Sequence, residues 1–143
     1  MWDNEDEMED FSKKSAQDYV NHSGSGFIEI SRTENREIEI PVNVKSAGKY
    51  LIDFRYSNGS GEWNTDNKAA IRSLYVNDDY RGSVVFPQRG LDEWSDWGFS
   101  NSFTVELEEG QNMLQLQFQE WNNNMNVEVN TAMLDYMRVI KIN

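Results

Sequence analysis

Apolar and polar residues alternate along most of the chain after residue 26. In segments 27–30, 37–44 and 49–56, Ile, Val, Leu, Phe and Tyr occupy every second position. Because successive side chains of a strand point to opposite faces of a sheet, this period predicts antiparallel strands with one buried face. Further strands are predicted over 70–76, 83–86, 102–107, 112–118 and 133–142. Many short strands with no helical period between them predict an all-β protein, a β-sandwich or a barrel.

Turn-forming residues separate the predicted strands. They stand at Ala47-Gly48, Asn58-Gly59, Asn77-Asp78-Asp79 and Glu109-Gly110. Gly, Asn and Asp tolerate the positive φ that tight turns require. Two connections, 59–67 and 87–101, are longer than hairpin loops, and loops of such length in a small domain are more often functional or metal-bound than idle.

The length of 143 residues, with 38% hydrophobic content, suits one domain with a real core, so 1–143 is interpreted as a single module. Its first twenty residues are acidic and leave three structures open. The three are a short edge strand near Glu7 to Asp10, a frayed tail, and a brief helix from Phe11 to Asp18.

The charge and the missing cysteine exclude several classes of function. With 25 acidic and 13 basic residues the formal net charge is −12, which repels nucleic acid and anionic membrane surfaces. No apolar run approaches the roughly 20 residues that span a bilayer. The absence of cysteine excludes disulfides, zinc-thiolate sites and cysteine nucleophiles. The acidity suits either a hard cation such as Ca²⁺ or simple solubility.

All five tryptophans lie in polar segments that are typical of turns. They are Trp2, Trp63, Trp94, Trp97 and Trp121. An indole is normally an interior group, so these loops either pack on the rim of the core or offer flat apolar faces to a ligand. For each tryptophan the sequence leaves both interpretations open.

The sequence gives little support for a catalytic function. The single histidine, His22, has no identifiable partners for a nucleophilic triad. Asp92, Glu93 and Asp96 cluster near two tryptophans and leave a small glycosidase open as a minor alternative. Acidic residues nevertheless fall close together by chance in so acidic a chain, and a solvated loop explains them equally well.

Sugar recognition fits the loops better. Sugars pack their C–H faces on aromatic rings and pair their hydroxyls with polar side chains, so a site combines Trp or Tyr with Asn, Asp, Arg or Glu. The mixture occurs at Trp63 with Asn64, at Arg89 with Trp94 and Trp97, and at Trp121 with its following asparagines.

The order of these signals resembles carbohydrate-binding modules of families 6 and 35. The resemblance rests on Val42 to Tyr50, Phe54 to Gly59, Leu74 to Asn77, Trp94 to Trp97, Val105 to Asn112 and Met133 to Val139. It covers most of the chain and implies a jelly-roll or galactose-binding-like antiparallel β-sandwich.

The resemblance also implies site residues. In such modules a Glu-x-Glu near the start and an Asp on the last strand commonly hold a structural Ca²⁺, which corresponds here to Glu7, Glu9 and Asp135, with Glu5 and Glu7 as an alternative register. The sugar site usually combines an aromatic residue near Tyr19, a tryptophan like Trp94 or Trp97, and an Asn shortly before the final Asp. This chain has Met133 there, and its nearest asparagine is Asn130.

The expected function is therefore non-catalytic binding of an oligosaccharide or polysaccharide by an accessory module, next to a catalytic domain of a larger glycoside-processing enzyme. The resemblance implies a secreted or periplasmic protein, although residues 1–5 do not look like a secretion signal. The alternative is a structural β-sandwich that packs on a catalytic domain and binds no sugar.

Overall fold

A computed structural model describes residues 3–59, 69–89, 93–122 and 130–142. These residues form ten strands: β1 (Asp3–Glu7), β2 (Ile28–Ile30), β3 (Glu37–Val44), β4 (Gly48–Ser57), β5 (Ala70–Val76), β6 (Asp79–Phe86), β7 (Gly98–Phe99), β8 (Phe103–Leu107), β9 (Gly110–Gln117) and β10 (Ala132–Lys141). Short 3-10 turns cover Met8–Asp10 and Glu120–Asn122.

The first sheet is built around β10 and β4, which pair with each other along most of their length. On its other side β10 pairs with β1 at one end and with β2 at the other. Strand β4 likewise pairs with both β7 and β8. Within the described part of the chain, all these pairs are antiparallel.

The second sheet has the strand order β3, β9, β5, β6, again with antiparallel neighbours. The β5–β6 hairpin turns through Asn77 and Asp78, both at positive φ (49° and 72°), as the turn residues predicted. The apolar residues of β3, including Ile38 and Ile40, are at most 1% exposed, whereas Glu37 and Glu39 face outward.

The core lies between the two sheets and takes its side chains from alternate positions of both. The predicted all-β sandwich is therefore confirmed. The predicted spans 37–44 and 70–76 coincide with β3 and β5, and the others differ at their ends by up to four residues. The two-residue strand β7, which pairs with Arg55 and Tyr56, was not predicted.

The N-terminal segment resolves as a strand that begins earlier than expected. Strand β1 ends at Glu7, and the turn after it buries Met8 completely in the core. The helix considered over 11–18 is wrong, because these residues form a turn, a single β-bridge at Lys14 and irregular chain. Among the described residues, no helix is long and apolar enough to cross a membrane.

An irregularity in the pairing of β10 directs the side chain of Asp135 towards the protein interior. Leu134 pairs with Tyr56 and Tyr136 pairs with Arg55, so Asp135 is an extra residue in the ladder. A β-bulge of this kind redirects a side chain from its regular face. Asp135 is consequently 0% exposed, although it lies on a strand next to the partly exposed Tyr136.

Candidate functional site

The segment from Tyr19 to Ser25, called the strap below, connects the two parts of the candidate site. At one end the backbone N–H of Val20 donates to Ser95 Oγ (3.0 Å), and the carbonyl of Val20 accepts from Trp97 Nε1 (2.7 Å). At the other end the strap contacts Asp135 and Glu7 through Ser23. The strap has no regular strand or helix, so these contacts determine its course.

Trp97 belongs to the packed part of the site. Its side chain is 9% exposed and clusters with Phe27 and Met133. The ring meets Phe27 edge-on at 5.4 Å between centroids. Since its N–H already has a partner in the strap, Trp97 has neither an open ring face nor a free donor to offer a ligand.

Trp94 and Tyr19 form the open side of the same cluster. Their rings stack with centroids 5.9 Å apart and planes within 12°, and the other face of Tyr19 stacks on Phe27. Both residues are half-buried. The backbone carbonyl of Trp94 is held by Ser57 Oγ at 2.9 Å. The stack therefore presents aromatic surface on a loop that is fixed to β4.

Arg89 lies beside this loop. Its Nε donates to the carbonyl of Asp96 at 3.2 Å, and its Nη2 is 3.4 Å from Asp96 Oδ1. Arg89 is half-buried and Asp96 is exposed. The guanidinium also fills the space above Gly98, where any Cβ would meet it. The pair adds hydrogen-bonding groups near the Tyr19–Trp94 stack.

The acidic residues that left a glycosidase open have local partners. Glu93 Oε1 accepts from the backbone N–H of Ser95 at 2.8 Å, and Asp96 pairs with Arg89. Asp92 lies outside the described residues, as do Trp63 and Asn64, which were predicted as sugar contacts.

Asn130 is a buried link between loops. Its Oδ1 accepts from the backbone N–H of Ile71 (2.9 Å) and from Arg72 Nη1 (2.6 Å), and its Nδ2 donates to the carbonyl of Asn122. Asn130 is 1% exposed. In this arrangement its amide is committed to protein partners.

Arg72 is the unexpected member of this network. It is 1% exposed, and burial lowers its pKa to about 9, with a smaller effect from the charge of Arg36. Its guanidinium lies 4.7 Å from the centroid of Phe118. No carboxylate within the described ranges forms an ion pair with it. Backbone and amide oxygens hold the cation instead, so it links β5 to the loops around it.

Trp121 has different neighbours from Trp94. It sits in the 3-10 turn that follows β9 and is 59% exposed. Its Nε1 donates to Ser73 Oγ on β5 at 3.0 Å, and its ring meets Tyr80 edge-on. It therefore packs on the second sheet, whereas the Tyr19–Trp94 stack clusters with Phe27, just before β2, and with Met133 of β10 in the first.

Glu7, Glu9 and Asp135 come together at the other end of the strap. Ser23 Oγ lies 2.6 Å from Glu7 Oε2 and 3.2 Å from Asp135 Oδ1. The backbone N–H of Ser23 donates to both oxygens of Asp135. Gly24, at φ 57°, fits between the two glutamates, since a Cβ there would lie 2.5 Å from Glu7 Oε1 and 2.9 Å from Glu9 Oε2.

Two oxygen atoms of this acidic corner lack partners. Glu7 Oε1 and Glu9 Oε1 are buried and accept no hydrogen bond from the residues that the structure describes. Burial raises the pKa of Glu7 to about 7, against the lowering effect of Ser23, and the charges of Glu9 and Asp135 raise it further. Two close carboxylates with unpaired oxygens favour a bound proton or a bound cation.

Arg55 partly neutralises the corner, and sequence reasoning missed it. Its Nη1 lies 2.7 Å from Asp135 Oδ2 and also donates to the carbonyl of Asn21 in the strap. Within the described residues, no group of three or more His, Cys, Asp or Glu side chains is arranged to hold a metal ion. The donor set fits a cation through the two glutamates, while Asp135 now holds Ser23 and Arg55.

Comparisons with known proteins agree on the fold. No family model matches the chain. It is 30% identical over 123 residues to a cycloisomaltooligosaccharide glucanotransferase from Niallia circulans, a match that spans 86% of this chain and 11% of that protein. A family 35 carbohydrate-binding module from Clostridium thermocellum has a TM-score of 0.73 at 19% identity, over 99% of this chain and 100% of the module.

The chain has the fold of a family 35 carbohydrate-binding module. The resemblance to this galactose-binding-like β-sandwich is thereby confirmed. The fold also occurs within a cycloisomaltooligosaccharide glucanotransferase from Paenibacillus sp., solved with cycloisomaltoheptaose, at a TM-score of 0.72 and 22% identity over 94% of this chain and 18% of that one.

The chain spans 8% to 11% of the length of the curated relatives that it matches. It covers the whole of the isolated Clostridium module. The chain therefore corresponds to one module, and not to a whole enzyme of that size.

Proposed function

We propose that this chain is a non-catalytic carbohydrate-binding module of a larger enzyme and that its ligand is an α-1,6-linked gluco-oligosaccharide. The observation that carries the proposal is the match over 86% of the chain to a cycloisomaltooligosaccharide glucanotransferase. An isomaltosyltransferase and a 1,6-α-glucosyltransferase of Sporosarcina globispora match at 29% and 31% identity. That the parent enzyme is secreted or periplasmic stays a prediction.

The glycan binds, in this proposal, at the open side of the Tyr19–Trp94 stack. Trp94 supplies the ring on which a sugar packs, and Tyr19 supports Trp94 from below. Arg89 and Asp96 lie on the same loop edge and pair with sugar hydroxyls. Trp97 holds this edge in place from the interior.

A Ca²⁺ ion binds the acidic corner in the same proposal. Glu7 and Glu9 supply the two oxygen atoms that lack partners, and Asp135 contributes Oδ1 when the ion displaces Ser23 Oγ, which now donates to it, while Oδ2 keeps its contact with Arg55. Ca²⁺ prefers such oxygen ligands, and its charge relieves the repulsion between the carboxylates. The ion would clamp β1 to β10 and fix the strap, so it supports the glycan site without touching the glycan.

Titration with isomalto-oligosaccharides of increasing length tests the binding proposal. Tryptophan fluorescence and calorimetry are expected to show saturable binding, and Trp94→Ala is expected to weaken it about tenfold, the loss of one aromatic contact. Phe99→Ala is the matched control, because Phe99 is 41% exposed but lies on β7, where it packs against Tyr136 and Arg138. Absence of binding to every α-glucan would leave the structural, non-binding sandwich as the better account.

A further inference from the structure

We infer that the outer face of the second sheet is a second glycan-binding surface, separate from the Tyr19–Trp94 edge, and that it takes a neutral glucan chain. This inference rests on the proposed function for its ligand class. It assigns Trp121, Tyr80, Tyr75 and the glutamines of β9 to one surface.

Trp121 is both exposed and held in place. At 59% exposure its ring contributes little to the core. Yet Ser73 Oγ, which accepts its Nε1–H, is fixed in turn by the buried side chain of Asn122 at 3.1 Å. The side-chain oxygen of Asn122 also accepts from the backbone N–H of Gln119, and this contact closes the turn. A large apolar ring that is ordered before it has a partner is typical of a binding anchor.

Two tyrosines extend the aromatic surface from Trp121. Tyr80 is 50% exposed and its ring lies 6.3 Å from Trp121 at 85°. Tyr75 lies opposite Tyr80 on the neighbouring strand, with ring centroids 5.6 Å apart. The three rings form a continuous wall along the β5–β6 side of the sheet.

A chain of amides runs beside this wall along β9. Gln119 donates to Gln117, Gln117 Nε2 donates to Gln115 Oε1 at 3.2 Å, and Gln115 Nε2 donates to Glu39 Oε2 at 3.0 Å. All three glutamines are half-buried. Each amide donates along the chain towards Glu39, so the contacts orient the amides, and no described residue accepts the second N–H of any of them.

The strand register brings these groups into rows. One row across the sheet contains Glu39, Gln115, Tyr75 and Tyr80, and the next contains Glu37, Gln117, Ser73 and Ser83. Their neighbours Leu74 and Leu116 are buried, so both rows face away from the core. With strands about 4.8 Å apart, four strands give a surface roughly 14 Å wide. One half of it is aromatic and the other half carries amides and carboxylates.

The charges on this face select a neutral ligand. The two rows contain Glu37 and Glu39 but neither lysine nor arginine, in a protein with net charge −12. An acidic glycan or a phosphate ester would be repelled. A docked protein domain would bury an apolar centre, whereas here half of the surface is hydrogen-bonding amide. Ring faces beside oriented amides match the C–H faces and hydroxyls of a neutral glucan.

Calorimetric titration with isomalto-oligosaccharides and with dextran tests the inference. The proteins are wild type, Trp121→Ala, Tyr80→Ala, Trp94→Ala and the double variant Trp94→Ala/Trp121→Ala, with Phe99→Ala as control. We expect Trp94→Ala to retain part of the binding and the double variant to lose it. Trp121→Ala and Tyr80→Ala should each lower dextran affinity about tenfold. Tyr80→Ala keeps the Ser73–Asn122 contacts intact and therefore separates ligand contact from loop structure.

The outcomes distinguish the inference from the proposed function. Wild-type affinity and stoichiometry in Trp121→Ala and Tyr80→Ala, with loss of all binding in Trp94→Ala, would overturn the second surface and leave the loop-edge site standing. Loss in Trp121→Ala with no effect of Trp94→Ala would support the surface and overturn the loop-edge site. No binding by the wild type would overturn both.

Discussion

Trp97 and Trp121 occupy similar polar stretches of sequence and opposite environments in the fold. Trp97 is 9% exposed and Trp121 is 59% exposed, although each donates its Nε1–H to a protein oxygen. The partner of Trp97 is a strap carbonyl, so its ring closes over the first sheet with Phe27. The partner of Trp121 is a hydroxyl on the outer face of the second sheet, so its ring stays outside.

A hydrogen bond from the indole N–H to a protein oxygen therefore does not by itself show that a tryptophan stabilises the fold. What separates the two is the set of ring neighbours. Trp97 meets Phe27, just before β2, and Met133 of β10, whereas Trp121 has the single aromatic neighbour Tyr80 among the described residues. The first tryptophan holds the fold, and the second is free to contact a ligand.

Trp97→Ala is expected to destabilise the protein more than any other variant. Removing a buried tryptophan costs about 3–5 kcal/mol of unfolding free energy, because the lost burial is joined by a cavity. Urea denaturation measures it. A loss below about 1 kcal/mol would mean that Trp97 is not part of the packed cluster.

Asp135→Ala extends the test to the other end of the strap. Its loss leaves Arg55 and the Ser23 amide without their buried partner, and breaking such a pair costs about 3 kcal/mol. Asp96→Ala is the matched control, since Asp96 and its partner Arg89 are both solvent-accessible and the change is expected to cost less than about 1 kcal/mol. Equal losses in the two variants would contradict the structural role of the acidic corner.

Calcium removal is expected to affect Trp97 and not Trp121, because among the described contacts only Trp97 bonds to the strap. Chelator is expected to lower the melting temperature, by the equivalent of about 2–3 kcal/mol if the ion was present at a hundred times its Kd. The fluorescence of Trp97 should change while that of Trp121 stays constant, as single-tryptophan variants would show. A melt that neither chelator nor Glu7→Gln alters would remove the calcium proposal.

The pH dependence of the calcium-free protein tests the same corner. The folded-state pKa of Glu7, about 7, lies above its ordinary value of 4.5, so folding favours the protonated carboxyl. This contribution to stability is present below pH 4.5 and is lost as pH rises through about 7. In urea unfolding with chelator, the wild type should lose more stability than Glu7→Gln does between about pH 5 and about pH 9, roughly two pH units on either side of the titration. Parallel profiles of the two proteins would refute the shifted pKa.

Trp121→Ala should have the smallest effect on stability. An exposed ring that leaves the core intact is expected to cost within about 0.5 kcal/mol, apart from its one hydrogen bond to Ser73. The same urea measurement that is used for Trp97→Ala provides the comparison. A cost similar to that of Trp97→Ala would show that both tryptophans are structural.

The strands could be predicted from sequence because a half-buried strand imposes alternation on its residues. Strand β3 shows this most clearly, since its even-numbered residues are buried and its odd-numbered residues are exposed. Strand β7 was not predicted, because two residues are too few to show an alternating pattern. The orientation of the Asp135 side chain could not be predicted either, because a bulge depends on how β10 pairs with β4 and has no local sequence pattern.

The candidate site was predictable in its composition and not in its arrangement. The resemblance indicated Glu7, Glu9 and Asp135, and the structure brings these three around Ser23 and Gly24. Arg55 had no signal, since an arginine on an alternating strand is expected simply to face solvent. The different environments of Trp97 and Trp121 depend on contacts between residues 77 and 48 positions apart, which no local pattern encodes.

The most direct test of this account is a titration of the protein with isomalto-oligosaccharide, monitored by the indole N–H resonances of its tryptophans in ¹H–¹⁵N spectra. We expect the resonances of Trp94 and Trp121 to shift in a saturable way, while that of Trp97, bound to the Val20 carbonyl, stays in place. If the Trp97 resonance alone responds, or if no indole resonance moves, the assignment of packing to Trp97 and of glycan contact to Trp94 and Trp121 is contradicted.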